Sequence, residues 1–377
     1  MNITLPQYLG PVNLVSCVPY VAMIIMVFFI LLLVPALVWL ERVFMALMQD
    51  RLGPNRIGPR GLLQPIADGI KLFMKEDITP ANVDLTIYYL APILTMIPAL
   101  AAAATLPFSK IDFRMADGHI ATFPMVVGNV NIGILYILAL TSLQVYGIVL
   151  AGWSSNNKYS LIGGLRSSAQ VISYELAMSL AILSCVFMAG SLNLVQVVDR
   201  QGGYWFGFIP HWNVFQFYGL GFIATVIYLI SMVAETNRSP FDLAEAESEL
   251  VAGFHTEYSS MKFAMFFMGE YASMVVVSSI AVALWFGGWH PISPFLGFIP
   301  GWVWFIAKLM GLMLVYIWIR TTLPRLRYDA LMAFGWKRLL PVALVVLFAI
   351  AVVDTLQTPE KTTSVRSELI NSAVVER

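Results

Sequence analysis

Acidic side chains gather in one place on this chain. Between Glu235 and Lys262 stand six acids, Glu235, Asp242, Glu245, Glu247, Glu249 and Glu257, and Arg238 is the only Lys or Arg before Lys262. One guanidinium cannot neutralise six carboxylates, and carboxylates crowded together raise one another's proton affinity. The stretch therefore predicts a set of groups that take up and release protons near neutral pH. Read as a helix over 240–254, it puts Asp242, Glu245 and Glu249 on one face and Glu247 on the other. Phe241, Leu250, Val251 and Phe254 interleave with the acids, which predicts partial burial against other loops. The ordinary alternative for such a run is a solvated acidic loop.

Three further ionisable residues interrupt long apolar segments: Glu175 in VISYELAMS, Glu270 in FMGEYAS, and Lys308. A charge at the centre of a bilayer costs roughly 2.5–3.5 kcal/mol on insertion scales, which marks the two glutamates as candidates for proton handling. Lys308 is cheaper, because its long stem lets the ammonium reach outward to the interface.

Other chemistries are poorly served. Cys17 and Cys185 are far apart in apolar surroundings, so no thiolate set for zinc or an iron–sulfur cluster is expected, and no metal site is expected elsewhere. His119, His211 and His290 fall in connecting loops and His255 in the acidic stretch, which leaves no histidine pair within spans to hold a haem. There is no glycine-rich nucleotide-binding sequence either. Any electrons that reach this chain come from cofactors on a partner.

The elements that must position these residues follow from composition. In 377 residues, 59% are hydrophobic and only 12% charged, with 22 bases balancing 22 acids. A globular chain has about 25% charged residues; this one reads as an integral membrane protein, with no net field to attract nucleic acid. Residues 1–40 contain no Asp, Glu, Lys or Arg, and without a basic leader this is not a cleaved signal peptide. Apolar segments long enough to span a membrane lie at about 19–40, 86–107, 130–151, 171–192, 213–234, 263–285, 302–320 and 339–356. The expected fold is all-α: eight transmembrane helices in a single domain over 1–356, with a polar tail over 357–377. Alternate connections divide the Lys and Arg residues outside the spans fifteen to six, and by the positive-inside rule the acidic stretch faces the cytoplasm and both termini lie outside.

The first basic connection holds one more element. Leu62, Ile66, Ile70 and Phe73 share a helical face opposite Gln64, Asp68, Lys71 and Lys75, the pattern of an amphipathic helix lying in the membrane interface on the cytoplasmic side. Before it, RLGPNRIGPRG reads as an ordered coil whose arginines have lipid anchoring as their plain alternative role.

Two stretches, ERVFMALMQDRLGPNRIGPRGLLQPIADGIKLFMKEDITP at 41–80 and the acidic run continuing to Tyr271, resemble the family of H subunits, also called subunit 1, of NADH:quinone oxidoreductase (respiratory complex I). The resemblance extends over about residues 15–355 and implies a cofactor-free subunit of a proton-translocating enzyme in a bacterial plasma membrane. It implies docking to a hydrophilic arm that carries NADH, FMN and iron–sulfur clusters, lateral contact with small membrane subunits and with lipid, and a part in enclosing the quinone. It places Arg42, Asp68, Lys71 and Arg238 at the quinone passage, with Phe241 in the adjoining turn. The acids of 235–257, with Glu175 and Glu270, become the proton-coupling set. Two rivals share the membrane fold: the corresponding subunit of a membrane-bound hydrogenase without quinone, and a free-standing ion transporter.

Overall fold

The computed structural model describes residues 14–114, 120–205, 207, 209–242 and 252–357, which are mostly helical. In chain order the helices are α1 (Leu14–Met48), α2 (Gln64–Met74), α3 (Leu85–Ala102), α4 (Gly133–Ser154), α5 (Lys158–Ala189), α6 (Leu194–Arg200), α7 (Leu220–Glu235), α8 (Ser260–Leu284), α9 (Gly301–Thr322), α10 (Tyr328–Phe334) and α11 (Leu340–Gln357). A π-turn over Gly335–Leu339 joins α10 to α11. Two short antiparallel hairpins, Lys110–Arg114 with Ile120–Pro124 and Tyr204–Trp205 with Ile209–Pro210, close loops at one end. Among the described residues, seven helical stretches are long and apolar enough to cross a membrane: Leu85–Thr105, Gly133–Ser154, Lys158–Ala189, Phe217–Glu235, Ser260–Leu284, Gly301–Thr322 and Tyr328–Leu356. They follow α1, a helix of 35 residues.

The helices pack through small side chains, as is usual where lipid supplies no hydrophobic drive between spans. On α4, a Cβ at Gly147 would lie 2.5 Å from Thr95 Cγ2 and 3.0 Å from the Ala91 carbonyl of α3, so the two backbones touch. Gly152 of α4 similarly faces the Ser160 carbonyl and Gly164 of α5. Pro92 and Pro98 sit inside α3, where a proline ring removes an N–H and displaces a carbonyl from the helical ladder. Gln144 on α4 donates to the Thr95 carbonyl at 3.0 Å, a polar tie across the α3–α4 interface. The deepest side chains include Tyr174, Tyr228, Trp285, Phe305 and Leu309, contributed by α5, α7, α8's C-cap and α9.

Three details depart from the sequence reading. The fourth expected span was set at 171–192, but α5 begins at Lys158, where Asn157 accepts from the Tyr159 N–H as an N-cap. Glu175 thus lies at the middle of a long helix, not near its start. The expected helix over 240–254 fails at both described ends: Pro240 and Phe241 form a turn and Gly253–His255 a single 3-10 turn. Leu250, Val251 and the other residues of 243–251 lie outside the described residues.

Close packing of α3 on α4 yields a test. Gly147→Ala should destabilise by about 1–3 kcal/mol through overpacking, read as a lower Tm and less assembled protein in membranes. Gly311→Ala on α9, where an added Cβ meets nothing within 4 Å, should instead be neutral or stabilise by up to about 1 kcal/mol through helix propensity. Equal behaviour of the two variants would remove the close approach as a determinant of the bundle.

Candidate functional site

Helix α7 ends where Thr236 and Asn237 leave the helical ladder and Pro240 forbids its continuation. The turn that follows, closed by the Phe241 N–H donating to the Arg238 carbonyl at 2.8 Å, carries Arg238 inward between α1, α8 and α9. Only 4% of Arg238 is exposed. Its Nε lies 2.7 Å from Glu270 Oε1 on α8, and its Nη1 lies 3.9 Å from Glu41 Oε1 on α1. The guanidinium stacks over the ring of Tyr271 at 4.4 Å, and the Tyr271 hydroxyl donates to Glu41 Oε2 at 2.5 Å. Arg320, on the last turn of α9, donates to Glu41 Oε1 as a second base. Two acids and two bases from four elements therefore share one network, with Glu41 and Arg238 buried at its centre and Glu270 and Arg320 partly exposed at its edges.

Beside it lies a cavity of about 70 Å³, lined among others by Glu235, Glu270, Gln144, Thr236, Asn237 and His255. A water needs at least about 10–15 Å³ of such space and two to four polar partners, so the cavity accommodates a short water cluster. Glu235 is unlike Glu270: its Oε2 is buried with no protein hydrogen-bond partner among the described residues. Glu175, on α5, accepts from Ser142 of α4 and lies near enough to Glu235 for the two carboxylates to feel each other's charge. Burial drives the His255 imidazole down to about 4, against the opposing pull of Asp242, so it faces the cavity as a neutral ring. The arrangement has room for water, a carboxylate that pairs with no base among the described residues, and a guanidinium within reach of two carboxylates.

The remaining candidates occupy three other positions. Arg42 pairs with Asp68 at 2.7 Å, joining α1 to α2, and Gln64 donates to the same Asp68 carboxylate. Lys71 is exposed on α2, whose Ile66, Ile70 and Phe73 are also exposed. Ser260, at the start of α8, donates to the Leu72 and Lys75 carbonyls and holds α2 against the bundle. Phe241 is buried against Tyr174, its carbonyl held by Gln170 at 2.7 Å, and Asp242 is buried with Arg325 at 3.4 Å. Glu257 stands apart, bonded to Asn157 at 2.7 Å in an open cleft between the α4–α5 connection and the segment at 80–82. Glu245, Glu247 and Glu249 lie outside the described residues.

Sequence reasoning passed over Glu41, Tyr271 and Arg320. Glu41 had a signal: it is the first charge after forty uncharged residues and lies within the continuous helix α1, where an ionisable group calls for a partner. Arg320 had none, since a base at the end of a span reads first as an interfacial anchor. Lys308, expected to extend outward to the interface, donates in the fold from its Nζ to the Phe286, Gly288 and His290 carbonyls. Among the described residues no group of three or more His, Cys, Asp or Glu side chains is placed to hold a metal.

The family described as NADH dehydrogenase matches residues 21–351. The NADH-quinone oxidoreductase H subunit 2 of Koribacter versatilis (strain Ellin345) is 48% identical over 353 residues, covering 89% of this chain and 96% of that protein. The H subunit 1 of Geobacter sulfurreducens is 50% identical over 347 residues, covering 89% and 95%, and the H subunit 2 of Geobacter metallireducens is 48% identical over 350 residues, covering 89% and 96%. A match of this extent, on a bundle of long apolar helices with a charge network, assigns the chain to the NADH dehydrogenase family, among the H subunits of the NADH-quinone oxidoreductases.

Proposed function

We propose that this chain is the quinone-channel and coupling subunit of a proton-translocating NADH:quinone oxidoreductase in a bacterial plasma membrane. In this reading α1 is the first of eight spans, both termini lie outside, and α2 rests in the cytoplasmic interface. The hydrophilic arm docks on the basic and acidic loops at that end and brings electrons from NADH through FMN and iron–sulfur clusters. The chain binds none of these groups itself. Bacterial relatives named as H subunits of NADH-quinone oxidoreductase support the assignment.

The observation that carries the mechanism is the network of Glu41, Arg238, Glu270 and Arg320 beside a cavity that holds Glu235. A quinone needs apolar surroundings for its tail and hydrogen-bond donors for its head. The exposed apolar face of α2, next to Arg42, Asp68 and Lys71, offers the first; Arg238 in its turn, with Phe241 behind it, lies close to the second. Reduction of a quinone draws in two protons and transiently builds negative charge. That charge competes with Glu270 and Glu41 for the Arg238 guanidinium, and a carboxylate released from its base becomes a better proton acceptor. Glu235 and Glu175, close enough to feel each other's charge, then respond together, and the other acids of the stretch, Asp242 and those at 245, 247, 249 and 257, are the proposed remainder of the proton-coupling set.

Two tests follow. Ala67, half-buried on α2, is a place to obstruct a passage without touching the charge network. Ala67→Trp should cut quinone reductase activity about tenfold, equivalent to adding about 1.4 kcal/mol to the rate-limiting step, with assembly and NADH oxidation by an artificial acceptor retained. Unchanged quinone reduction would leave α2 a scaffold.

The second test separates titration from stability. Glu270→Gln strips a buried base of its partner and should cost assembly some of the roughly 3–5 kcal/mol typical of breaking a buried ion pair. Glu235→Gln breaks no ion pair and should leave assembly intact, yet lower the protons moved per electron pair. Normal pumping by an assembled Glu235→Gln complex would overturn the coupling role of the cavity.

A further inference from the structure

The charge network described so far lies in the half of the bundle that holds the C-terminus of α7 and the N-terminus of α8. On α8 and α9, one formal charge sits in the other half. Lys308 is two turns into α9, and the only other Asp, Glu, Lys or Arg on that helix is Arg320 near its far end. From Glu270 to the end of α8 the rise is about 21 Å. Over its last eleven residues, Met274–Leu284, α8 is buried throughout and carries no ionisable side chain.

Past Leu284 the chain folds back as an irregular plug. Gly287 and Gly288 take φ of 70° and 50°, and a Cβ at Gly287 would fall 2.3 Å from Trp212 Nε1, so this backbone is tucked beneath the indole. Gln201 accepts from the Gly287 N–H at 3.0 Å and donates to the Ala283 carbonyl at 2.8 Å. Asn213 donates to the Leu284 carbonyl at 2.7 Å, and the buried Cys185 thiol donates to the same carbonyl at 3.3 Å. His290 is bonded through its ring to the Val198 carbonyl at 3.0 Å. Lys110 and Asp199, both partly exposed, pair with each other at 2.6 Å near the same end.

Irregular backbone at membrane depth leaves carbonyls that need donors. Lys308 meets three of them, Phe286 at 2.7 Å, Gly288 at 2.9 Å and His290 at 2.7 Å, and its Nζ lies 4.4 Å from the Trp212 ring centre. Three acceptors around one nitrogen suit an ammonium, which has three donors, and not a neutral amine, which has two and would turn its lone pair toward a carbonyl.

We infer that Lys308 is the outer seal of the bundle: it pins the plug shut and sets a fixed positive charge that turns protons back. A bundle that handles protons next to a water-sized cavity must be closed toward one side, or the gradient it serves leaks through it. A fixed cation in a low-dielectric constriction is the means by which several channels exclude protons and cations. The inference rests on the proton-handling reading of Glu235 and Glu270, but its test stands apart from turnover.

The assembled complex, reconstituted in liposomes without NADH, is given a pH gradient, and its decay is followed. K308M should speed the decay about tenfold, the effect of lowering a barrier by about 1.4 kcal/mol. Cys185, shielded in the parent, should become labelled by a membrane-impermeant maleimide added from the side of the plug, read by mass spectrometry on the peptide of this chain. K308Q, which keeps two of the three donors, replaces K308M if the latter does not assemble, and assembly is checked by NADH oxidation with an artificial acceptor. A parent leak rate in the assembled variant overturns the seal, whether or not Cys185 is labelled. Adding Glu235→Gln keeps the two readings separate. A leak that then returns to the parent rate supports both. A leak that persists supports the seal and removes the carboxylates from the route.

Discussion

Four charges meeting inside an apolar bundle are the constraint on which the rest of this structure depends. Glu41, Arg238, Glu270 and Arg320 belong to α1, the turn after α7, α8 and α9, and none of them could be buried alone at tolerable cost. Together they balance, and Tyr271 adds a hydroxyl to Glu41 and a ring face to Arg238. The price is geometric, because four separate elements must arrive in register. Gly147, Gly152 and Gly164 draw α3, α4 and α5 into backbone contact, and Gly269 brings α8 against the Thr95 carbonyl of α3 one residue before Glu270. Of these small residues Gly269 bears directly on the network, because it sets how closely α8, and Glu270 with it, approaches α3.

The balance also identifies what is left over. Asp242 has Arg325, and Asp68 has Arg42, but Glu235 meets the cavity without a base and Glu175 has a serine. Among the described residues, no Lys or Arg side chain pairs with either of these two carboxylates. Paired carboxylates tie helices together, and on the proposed reading the unpaired ones are those that proton transfer would change.

Much of this was legible before the fold was known, and the reasons divide cleanly. Spans followed from composition, and Glu175 and Glu270 stood out because a charge in an apolar run has a definite insertion cost. Which base meets which acid was not legible, since Arg320 lies 279 positions from Glu41 and only the packing of α1 on α9 joins them. The start of α5 was misplaced because Lys158, Ser160 and Arg166 look like loop residues; in the fold, Ser160, Gly163 and Gly164 are buried contacts with α4 and the loop at Gly253. The turn at Pro240 was misread for the opposite reason. Helical spacing of its acids outweighed a proline that ends the preceding helix.

The two ends of α8 are chemically unlike. In its N-terminal half, Glu270 sits next to space for water and to a guanidinium with two carboxylates in reach. Toward its C-terminus the same helix offers Val275, Val276, Val277, Ile280, Val282 and Leu284, all at most 3% exposed, and then a plug whose polar groups are met by Gln201, Asn213 and Lys308. Mobile protons require unsatisfied or exchangeable partners, whereas a barrier requires fixed ones. Eleven buried residues without an ionisable side chain set the distance between those requirements, and the charge left at the far end has the sign that opposes a proton.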